Sequence, residues 1–361
     1  DRLIYGHVHA NYGNLVPLGL WIAIYVFYSG CSAGAFLISS LVLVFGAKEY
    51  EKVARIALFT AMVTLIMAML AVVADLGHLP RVWHVIVYSN FRSPMAWMIW
   101  LYSAFFAMVS LELWILLRRD LILGSKEPGF KGLIKHFLTF GSTDVSPESQ
   151  VRDSRIAKKL ATFAIPVAIM FPSGVGSLFG IVAARPHWHS GLFPILFMLS
   201  AIVGGGALLV IVSSIFKHGI HRNGATIVAL GKLLFALLGL DVLFQISEIL
   251  ITLRGGTDSG GLELVLYGPY WWVFWIIQLV IGSAIPLALL SIKKTKENPL
   301  TVVLASVMIV IGLLGMRLNI VIPGQAVEEI AGLSTAIGSP RFSNAYFPSW
   351  SEFLLALGIL G

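Results

Sequence analysis

The chain has 361 residues, of which 58% are hydrophobic and 12% charged, and its formal net charge is +7. Soluble globular domains carry about 25% charged residues, so this composition excludes a soluble protein and indicates one that crosses a membrane several times. The single cysteine, Cys31, excludes an internal disulfide and also a zinc or iron–sulfur site built from four cysteines of this chain.

Eight apolar runs are long enough to cross a bilayer, which takes about 20 helical residues. They are predicted at 17–46, 54–77, 94–117, 158–184, 192–216, 224–253, 269–292 and 299–322. Because lipid offers backbone groups no hydrogen-bond partner, each run is predicted to be a helix. A further run begins near residue 350 and is too short to span, so we expect the natural protein to extend beyond one or both ends.

Prolines and small residues add detail to these spans. Pro166, Pro172 and Pro286 are predicted to kink the helices that contain them. The segments "SGCSAG" in the first span and "VGGGA" in the fifth place small side chains at close spacing. Such segments predict tight packing between helices.

Lys and Arg are divided unequally between the two sides of the membrane. The connections 47–55, 118–159, 217–223 and 293–298 hold 17 of them, whereas the alternate connections and the two ends hold 7. Cytoplasmic loops collect Lys and Arg, so these four connections are predicted to lie inside and the N-terminus outside. The positive net charge therefore reflects topology, and nucleic acid is not an expected partner.

Polar and aromatic residues recur on the predicted outer side. The connection between the second and third spans carries Asp75, His78, Arg81, His84 and Arg92. Aromatic and arginine side chains at a membrane interface often form only an anchoring belt, and the tryptophans fit that interpretation. The acidic and basic groups instead favour a functional site or a docking surface for an external partner.

The sixth span contains ionisable side chains, which are expensive inside a membrane and usually functional. Asp241, Gln245 and Glu248 are spaced to share one helix face, with the two acids about 10 Å apart along the axis. Lys232 lies two or three turns closer to the inside, and Glu112 lies near the inner end of the third span. This series favours a proton path. Buried ion pairs that fix helix register, for example Lys232 with Glu112, explain the spacing equally well.

The positions of the histidines argue against a metal centre. None of them lies near the centre of a span, whereas a transmembrane b-type haem takes axial histidines that project into a bundle. His187 and His189 form an HxH pair in a predicted loop without acidic companions close in sequence. The sequence therefore predicts no haem, iron–sulfur cluster or metal site in this chain.

Five motifs in order resemble the NrfD family, the membrane-subunit family of polysulfide reductase. They are "GLWIAIYVFYSGCSAGAFLISS", "ADLGHLPRVWHV", "SPMAWMIW", "ARPHWHSGLFPILFMLSAIVGGGA" and "MRLNIVIPGQ" followed by "YFPSWSE". The resemblance covers residues 17–352, nearly the whole chain. The family also includes membrane subunits of some nickel–iron hydrogenases, of sulfate-reducer quinone reductase complexes and of alternative complex III.

The resemblance implies an all-α integral membrane protein with eight or more transmembrane helices in two four-helix bundles. Residues 1–190 would form the first bundle, with the quinone site and a long inside loop at 118–157. Residues 191–322 would form the second bundle with a possible proton path, and 323–361 an outer tail and the start of a further helix. The implied location is the inner membrane of a prokaryote, with the N-terminus outside.

The resemblance also implies a function and partners. The chain would be a quinone-interacting membrane anchor that exchanges electrons between menaquinone or ubiquinone and a ferredoxin-like iron–sulfur subunit on the outer face. The catalytic subunit would be a molybdopterin enzyme, a hydrogenase or a multihaem cytochrome. The anchor itself would be non-catalytic or only quinone-reactive, without haem or an iron–sulfur cluster of its own, and membrane lipid would surround it.

Individual positions carry over from the family motifs. Asp75 and Arg81 match the acidic and basic positions of the family's turn after the second span, and His78 stands where relatives often have another basic residue. We expect Asp75 and His78 to exchange protons with the quinone, and Arg81 to hold the carboxylate. Further candidates for quinone contact are His7, His9, Asn14, Arg185 and Trp188. Candidates for partner docking are Arg92, Arg317 and Asn319.

Two other functions remain open from the residues themselves. A secondary transporter or proton channel without a redox role explains the acids of the sixth span equally well. A haem-bearing b-type cytochrome is the third interpretation. The positions of the histidines argue against it and predict that a reduced-minus-oxidised spectrum of the isolated chain contains no haem bands.

Overall fold

Eight helices in the described residues are long and apolar enough to cross a membrane, which confirms the predicted all-α membrane fold. The computed structural model describes residues 6–126, 128–216, 219–254, 260–328, 330, 332–333 and 342–360, and no strand occurs among them. The helices are α1 Leu20–Leu43, α2 Ala54–Asp75, α3 Pro94–Gly124, α4 Pro147–Gly180, α5 Phe193–Ile215, α6 Gly219–Arg254, α7 Val273–Ser291 and α8 Pro299–Val321. A shorter apolar helix, Trp350–Leu360, follows in the tail.

Two helix ends lie well outside the predicted spans. Helix α3 continues to Gly124, and α4 already begins at Pro147, where the Ser146 hydroxyl accepts a hydrogen bond from the Ser149 amide at 3.2 Å. A third helix, Phe130–Leu138, lies between them. The connection predicted as a long loop at 118–157 is therefore mostly helical. Hydropathy detects only the part of a helix that lies in lipid, so polar turns beyond the bilayer were missed.

Helices α1 and α5 occupy the centre of the molecule. Helix α1 packs against α2, α4, α5 and α8, and α5 packs in turn against α4, α6 and α8. A Cβ atom at Gly34 would collide with the backbone carbonyl of Ala201, and one at Gly205 would collide with the backbone of Ala35. This close approach confirms that "SGCSAG" and "VGGGA" serve tight helix packing. The division of the eight helices into two bundles stays a prediction.

Gly34→Ala is expected to lower the thermal midpoint of the purified chain in mild detergent by several degrees. The added methyl group forces the backbones of α1 and α5 apart, and overpacking of this kind costs about 1–3 kcal/mol. Gly239→Ala is the matched control, because Gly239 also lies in a long helix but has no atom within 4 Å of an added Cβ. Equal midpoints for the two variants would contradict the tight packing.

The helix ends define two faces. We call the end that carries residues 6–19, 76–93, 181–192, 260–272 and the tail the N-terminal face, and the opposite end the basic face. The basic face carries the connections 44–53, 125–146 and 292–298, which hold eight Lys residues. The tail helix Trp350–Leu360 packs against α1 and α2. The N-terminal face thereby brings the first and the last described residues of the chain together.

Candidate functional site

Tyr12 and Asp75 bring an O–H donor and a carboxylate together at the N-terminal face. Tyr12 lies in the segment before α1, and Asp75 is the last residue of α2. Burial, followed by the negative charge of Asp75, raises the pKa of the Tyr12 hydroxyl far above its ordinary value. Tyr12 therefore keeps its proton and remains a hydrogen-bond donor beside a carboxylate acceptor.

Aromatic rings enclose this pair. The Tyr12 ring lies 5.2 Å from the His7 ring, 5.6 Å from Trp21 and 6.0 Å from Tyr346, measured between ring centroids. The Nε2 atom of His7 and the Oδ1 atom of Asp75 are both shielded from solvent. The result is a polar pair inside an aromatic shell, here named the Asp75 cluster. Its members are His7, Tyr12, Trp21, Asp75, Tyr346 and Glu352.

Glu352 ties the tail to the segment before α1. It is fully buried, and its Oε1 accepts a hydrogen bond from the Tyr346 hydroxyl at 2.6 Å. Its Oε2 accepts from the amides of Asn11 at 3.1 Å and Ser349 at 2.8 Å. The Tyr346 hydroxyl in turn accepts from the Leu20 amide at the start of α1, at 2.9 Å. These bonds fix Tyr346 and the neighbouring Tyr12 at the end of the helix bundle.

A groove of about 620 Å³ reaches Tyr12 and Tyr346 from the surface of the N-terminal face. Tyr270, Trp272 and Phe347 contribute further aromatic side chains to its walls. Ligand pockets typically measure about 300–1,000 Å³ and are lined by apolar and aromatic groups with few polar ones. The groove therefore has the size and lining for a planar aromatic ligand.

The structure leaves several predicted site residues at the surface. The side chains of His78, Arg81 and Arg92 are exposed in the connection between α2 and α3. His9 and Asn14 are also exposed, in the segment before α1. The structure thus brings one candidate for quinone contact, His7, into the Asp75 cluster. Four other candidates for quinone contact lie at the surface and outside the cluster: His9, Asn14, His78 and Arg81.

Arg185 and Trp188 hold the end of α8. The Arg185 guanidinium donates to the backbone carbonyls of Gln325 at 3.2 Å and Val327 at 3.4 Å. The Trp188 indole N–H donates to the Ile320 carbonyl at 2.6 Å. Carbonyls at a helix end lack partners within the helix, and these side chains supply them. The contacts seen for both residues are therefore structural.

A second polar cluster crosses from α6 to α8. The Gln245 amide donates to Asp241 Oδ2 at 2.6 Å, the Gln278 amide to Gln245 Oε1 at 2.8 Å, and the Asn319 amide to Gln278 Oε1 at 2.8 Å. We name Asp241, Gln245, Gln278 and Asn319 the amide chain. Gln278 lies in the wider π-helical first part of α7, and π-helical segments are frequent at functional sites. Asp241 and Asn319 are buried.

A small cavity adjoins the amide chain at the N-terminal face. Its volume is about 80 Å³, and Gln245, Glu248, Gln278, Asn319 and His187 line it together with apolar side chains. Glu248 accepts a hydrogen bond from the Ser190 hydroxyl at 2.7 Å. Burial lowers the pKa of His187, so its imidazole is neutral at neutral pH. The wall of the cavity is mostly apolar, but it includes several polar side chains, and the space is large enough for several water molecules.

Arg317 is buried beneath the N-terminal face. Its guanidinium donates to the Ser200 hydroxyl and lies 4.2 Å from the centroid of the Phe197 ring. It interacts electrostatically with Asp241. Arg317 and Asn319 are only 3% and 6% exposed. Of the three predicted docking residues, Arg92 alone therefore presents its side chain at the surface.

Lys232 and Glu112 do not form an ion pair. Lys232 is exposed on α6, whereas Glu112 on α3 is fully buried. Neither carboxylate oxygen of Glu112 has a hydrogen-bond partner within the part of the chain that the structure describes. The alternative in which these two residues fix helix register is therefore wrong, because it required both side chains to face each other inside the bundle.

The match to known families covers most of the chain. A family model described as polysulphide reductase, NrfD, matches residues 8–329. The chain belongs to the NrfD family. The predicted resemblance is thereby confirmed, and the eight helices with this family identify a multi-pass integral membrane protein.

Similar NrfD-family chains belong to several oxidoreductases. A selenate reductase subunit of Mesobacillus selenatarsenatis is 35% identical, over 95% of this chain and 82% of that protein. A putative dimethyl sulfoxide reductase membrane subunit of Halobacterium salinarum is 28% identical, over 99% and 83%. An Hdr-like menaquinol oxidoreductase integral membrane subunit of Archaeoglobus fulgidus is 25% identical, over 96% and 82%. The relatives are thus named as subunits of three different reductases or oxidoreductases, and two of them are named as membrane subunits.

Several residues of this candidate site were not predicted from the sequence. Tyr12, Tyr346 and Glu352 were not proposed, although Glu352 is an acid within an apolar run, which is a signal for function. Gln278 was also missed, although it is a large polar residue in an otherwise apolar span. Among the described residues, no group of three or more His, Cys, Asp or Glu side chains is placed to hold a metal ion.

Proposed function

We propose that this chain is the quinone-reactive membrane anchor of a respiratory oxidoreductase complex. The observation that carries the proposal is the Tyr12–Asp75 pair, which lies inside an aromatic shell at the end of a membrane-spanning helix. A quinone head group needs donors or acceptors at two carbonyl oxygens and a flat apolar surface for its ring. The Asp75 cluster offers the Tyr12 O–H, the His7 imidazole and the Asp75 carboxylate beside the Trp21 and Tyr346 rings.

The proposed reaction balances in protons and electrons. Oxidation of one quinol releases two electrons to the partner subunit and two protons, and reduction of the quinone is the reverse. Asp75 takes or gives the two protons one after the other at the buried end of the site. His78 lies three residues further on and is exposed, so it passes the proton to or from water, since imidazole exchanges protons near neutral pH. Tyr12 keeps its proton and orients the head group.

The proposed partners follow from the relatives and the position of the cluster. The relatives are named as subunits of selenate reductase, dimethyl sulfoxide reductase and a menaquinol oxidoreductase. We infer an iron–sulfur subunit docked on the N-terminal face, above the Asp75 cluster and beside the exposed Arg92, and a further catalytic subunit bound to it. The N-terminal face is then the outer face of a prokaryotic inner membrane, in line with the distribution of Lys and Arg.

A proton route through the second half of the chain is a further part of the proposal. Asp241 is buried in α6, and the amide chain and the adjoining cavity lead from it to Glu248 and Ser190 at the N-terminal face. Arg317 compensates the charge of Asp241 when its proton leaves. Glu112 is a separate buried carboxylate in α3, and Lys232 lies on the exposed side of α6, so we place neither on this route.

Tyr12→Phe is expected to weaken the binding of a short-chain menaquinone analogue by about tenfold. The change removes one hydroxyl and leaves the ring, and a hydrogen bond to a neutral acceptor contributes about 0.5–1.5 kcal/mol. Isothermal titration of the purified complex in mild detergent measures the dissociation constant.

Tyr267→Phe is the matched control for this variant, because Tyr267 also lies at the N-terminal face but is 80% exposed. Unchanged affinity in Tyr12→Phe would contradict the proposed site. A photoreactive quinone that labels the cavity beside the amide chain, and not the Asp75 cluster, would do the same.

A further inference from the structure

The helix Phe130–Leu138 on the basic face is amphipathic and its apolar side is uncovered. Phe130, Leu133 and Phe137 recur at helical spacing and are 75%, 64% and 76% exposed. Ile134 and Leu138 lie on the same side of the helix and are also exposed. A contiguous exposed apolar surface marks a contact with a membrane or with another protein.

The opposite side of the helix is basic and faces the protein. Gly132 is buried, and the Lys135 side chain lies directly against Gly124 at the end of α3. Lys131 and His136 are exposed at the two borders of the apolar side. A helix with an apolar face and flanking basic residues is the usual form of a segment that lies in the plane of a membrane surface.

The depth of the helix in the membrane can be read from α3. The Trp114 indole N–H donates to the Leu138 carbonyl at 2.8 Å. Trp114 lies twenty residues after the start of α3 at Pro94, which is about 30 Å along the axis and equals the thickness of the hydrocarbon core. Tryptophan also favours the boundary between hydrocarbon and head groups. The helix therefore ends at the level of that boundary.

The following segment fixes the helix in place. The Arg118 guanidinium, near the end of α3, donates to Asp153 at 2.8 Å and to the Ser142 hydroxyl at 2.8 Å, and also contacts Ser149. Arg118 and Asp153 are both largely buried. The end of the helix and the chain that follows it are thus attached to α3, so the apolar side has a defined orientation away from the protein.

We propose that the helix Phe130–Leu138 is an interfacial anchor that inserts its apolar side into the leaflet at the basic face and binds anionic lipid head groups. Lys131 supplies the charge at the border of the apolar side, and Lys126 and His136 lie close by in sequence. The aliphatic part of Lys131 lies along the acyl chains while its ammonium group reaches the phosphates. The occupant of this surface is the membrane, and no further protein subunit is required to cover it.

Spin labels test the position of the helix in the intact chain reconstituted in vesicles. In a Cys31→Ser background, labels at Leu133→Cys and His136→Cys are compared for relaxation by oxygen, which enters lipid, and by a water-soluble nickel chelate. The label at Leu133→Cys is expected to respond to oxygen and the label at His136→Cys to nickel. Strong nickel access at Leu133→Cys, or access of neither reagent because a protein covers it, would overturn the proposal.

A second measurement tests the lipid preference. Native mass spectrometry counts phosphatidylglycerol retained by the complex from vesicles that mix it with phosphatidylcholine. Lys131→Gln is expected to lower the preference for phosphatidylglycerol about fivefold, the effect of one basic residue near an anionic surface. Lys293→Gln, an exposed lysine elsewhere on the basic face, is the matched control. An equal loss in both variants, or no loss in either, would overturn the specific role of this helix.

Discussion

Asp75→Asn is expected to lower quinol-dependent turnover of the complex by a hundredfold or more while the complex remains assembled. Asparagine keeps the size of the side chain but cannot exchange a proton, and a positioned acid–base group contributes about 10²–10⁴-fold to a rate. Electron transfer between the partner subunit and an artificial dye does not involve the quinone, so that activity should be unchanged. The two rates measured side by side on one preparation separate a chemical defect from a loss of assembly.

The control for Asp75→Asn is Asp120→Asn. Asp120 is an exposed carboxylate of α3, paired with Arg55 at 3.4 Å, and its change should leave both rates near normal. His78→Gln should show a smaller loss than Asp75→Asn, because water can replace an exposed proton carrier. Normal quinol turnover in Asp75→Asn would show that protons leave the quinone by another group.

Asp241→Asn is expected to abolish the membrane potential that the complex generates in sealed vesicles, with quinol turnover retained. Asp241 is buried and lies at the inner end of the amide chain, so its neutral replacement removes the titratable group from that end of the proposed route. Each charge moved across 100 mV involves about 2.3 kcal/mol. A potential-sensitive dye and the stimulation of turnover by an uncoupler are the two measurements, and both should respond to the variant.

Glu297→Gln is the matched control for Asp241→Asn, because Glu297 is an exposed acid on the basic face. Normal turnover together with an unchanged potential in Asp241→Asn would remove the proton route. The same assay separates the redox anchor from a transporter or proton channel. A channel would conduct protons without quinol, whereas the proposed route conducts them only during turnover.

The spans were predictable because transfer of an apolar run into lipid dominates their energetics. Each of α1 to α8 contains a run of about 20 residues that carries few charges, and hydropathy detects it directly. The polar turns at the basic-face ends of α3 and α4 were not predictable in this way. They lie beyond the hydrocarbon core, where capping and local contacts such as those of Arg118 decide whether the helix continues.

The composition of the site was only partly predictable, because it depends on how the helices are rotated and which segments meet. Asp75, His7, Asp241, Gln245 and Glu248 were found as polar groups next to or within apolar runs. Their actual neighbours come from distant parts of the chain: Tyr346 joins Tyr12, and Gln278 joins Gln245. Arg317 was a candidate for partner docking from the family motif, but helix rotation turns it inward to Ser200.

The hydrogen bonds of the buried Glu352 join the segment before α1 to the tail after α8, so they form only after all eight helices have been synthesised. Tyr12 emerges from the ribosome before α1 to α8, whereas Tyr346 and Glu352, which complete its surroundings, emerge after them. The eight helices can therefore enter the membrane before the aromatic shell exists. A chain truncated before residue 342 would insert with α1 to α8 and yet lack a finished shell around Asp75, so docking of the tail completes the candidate site.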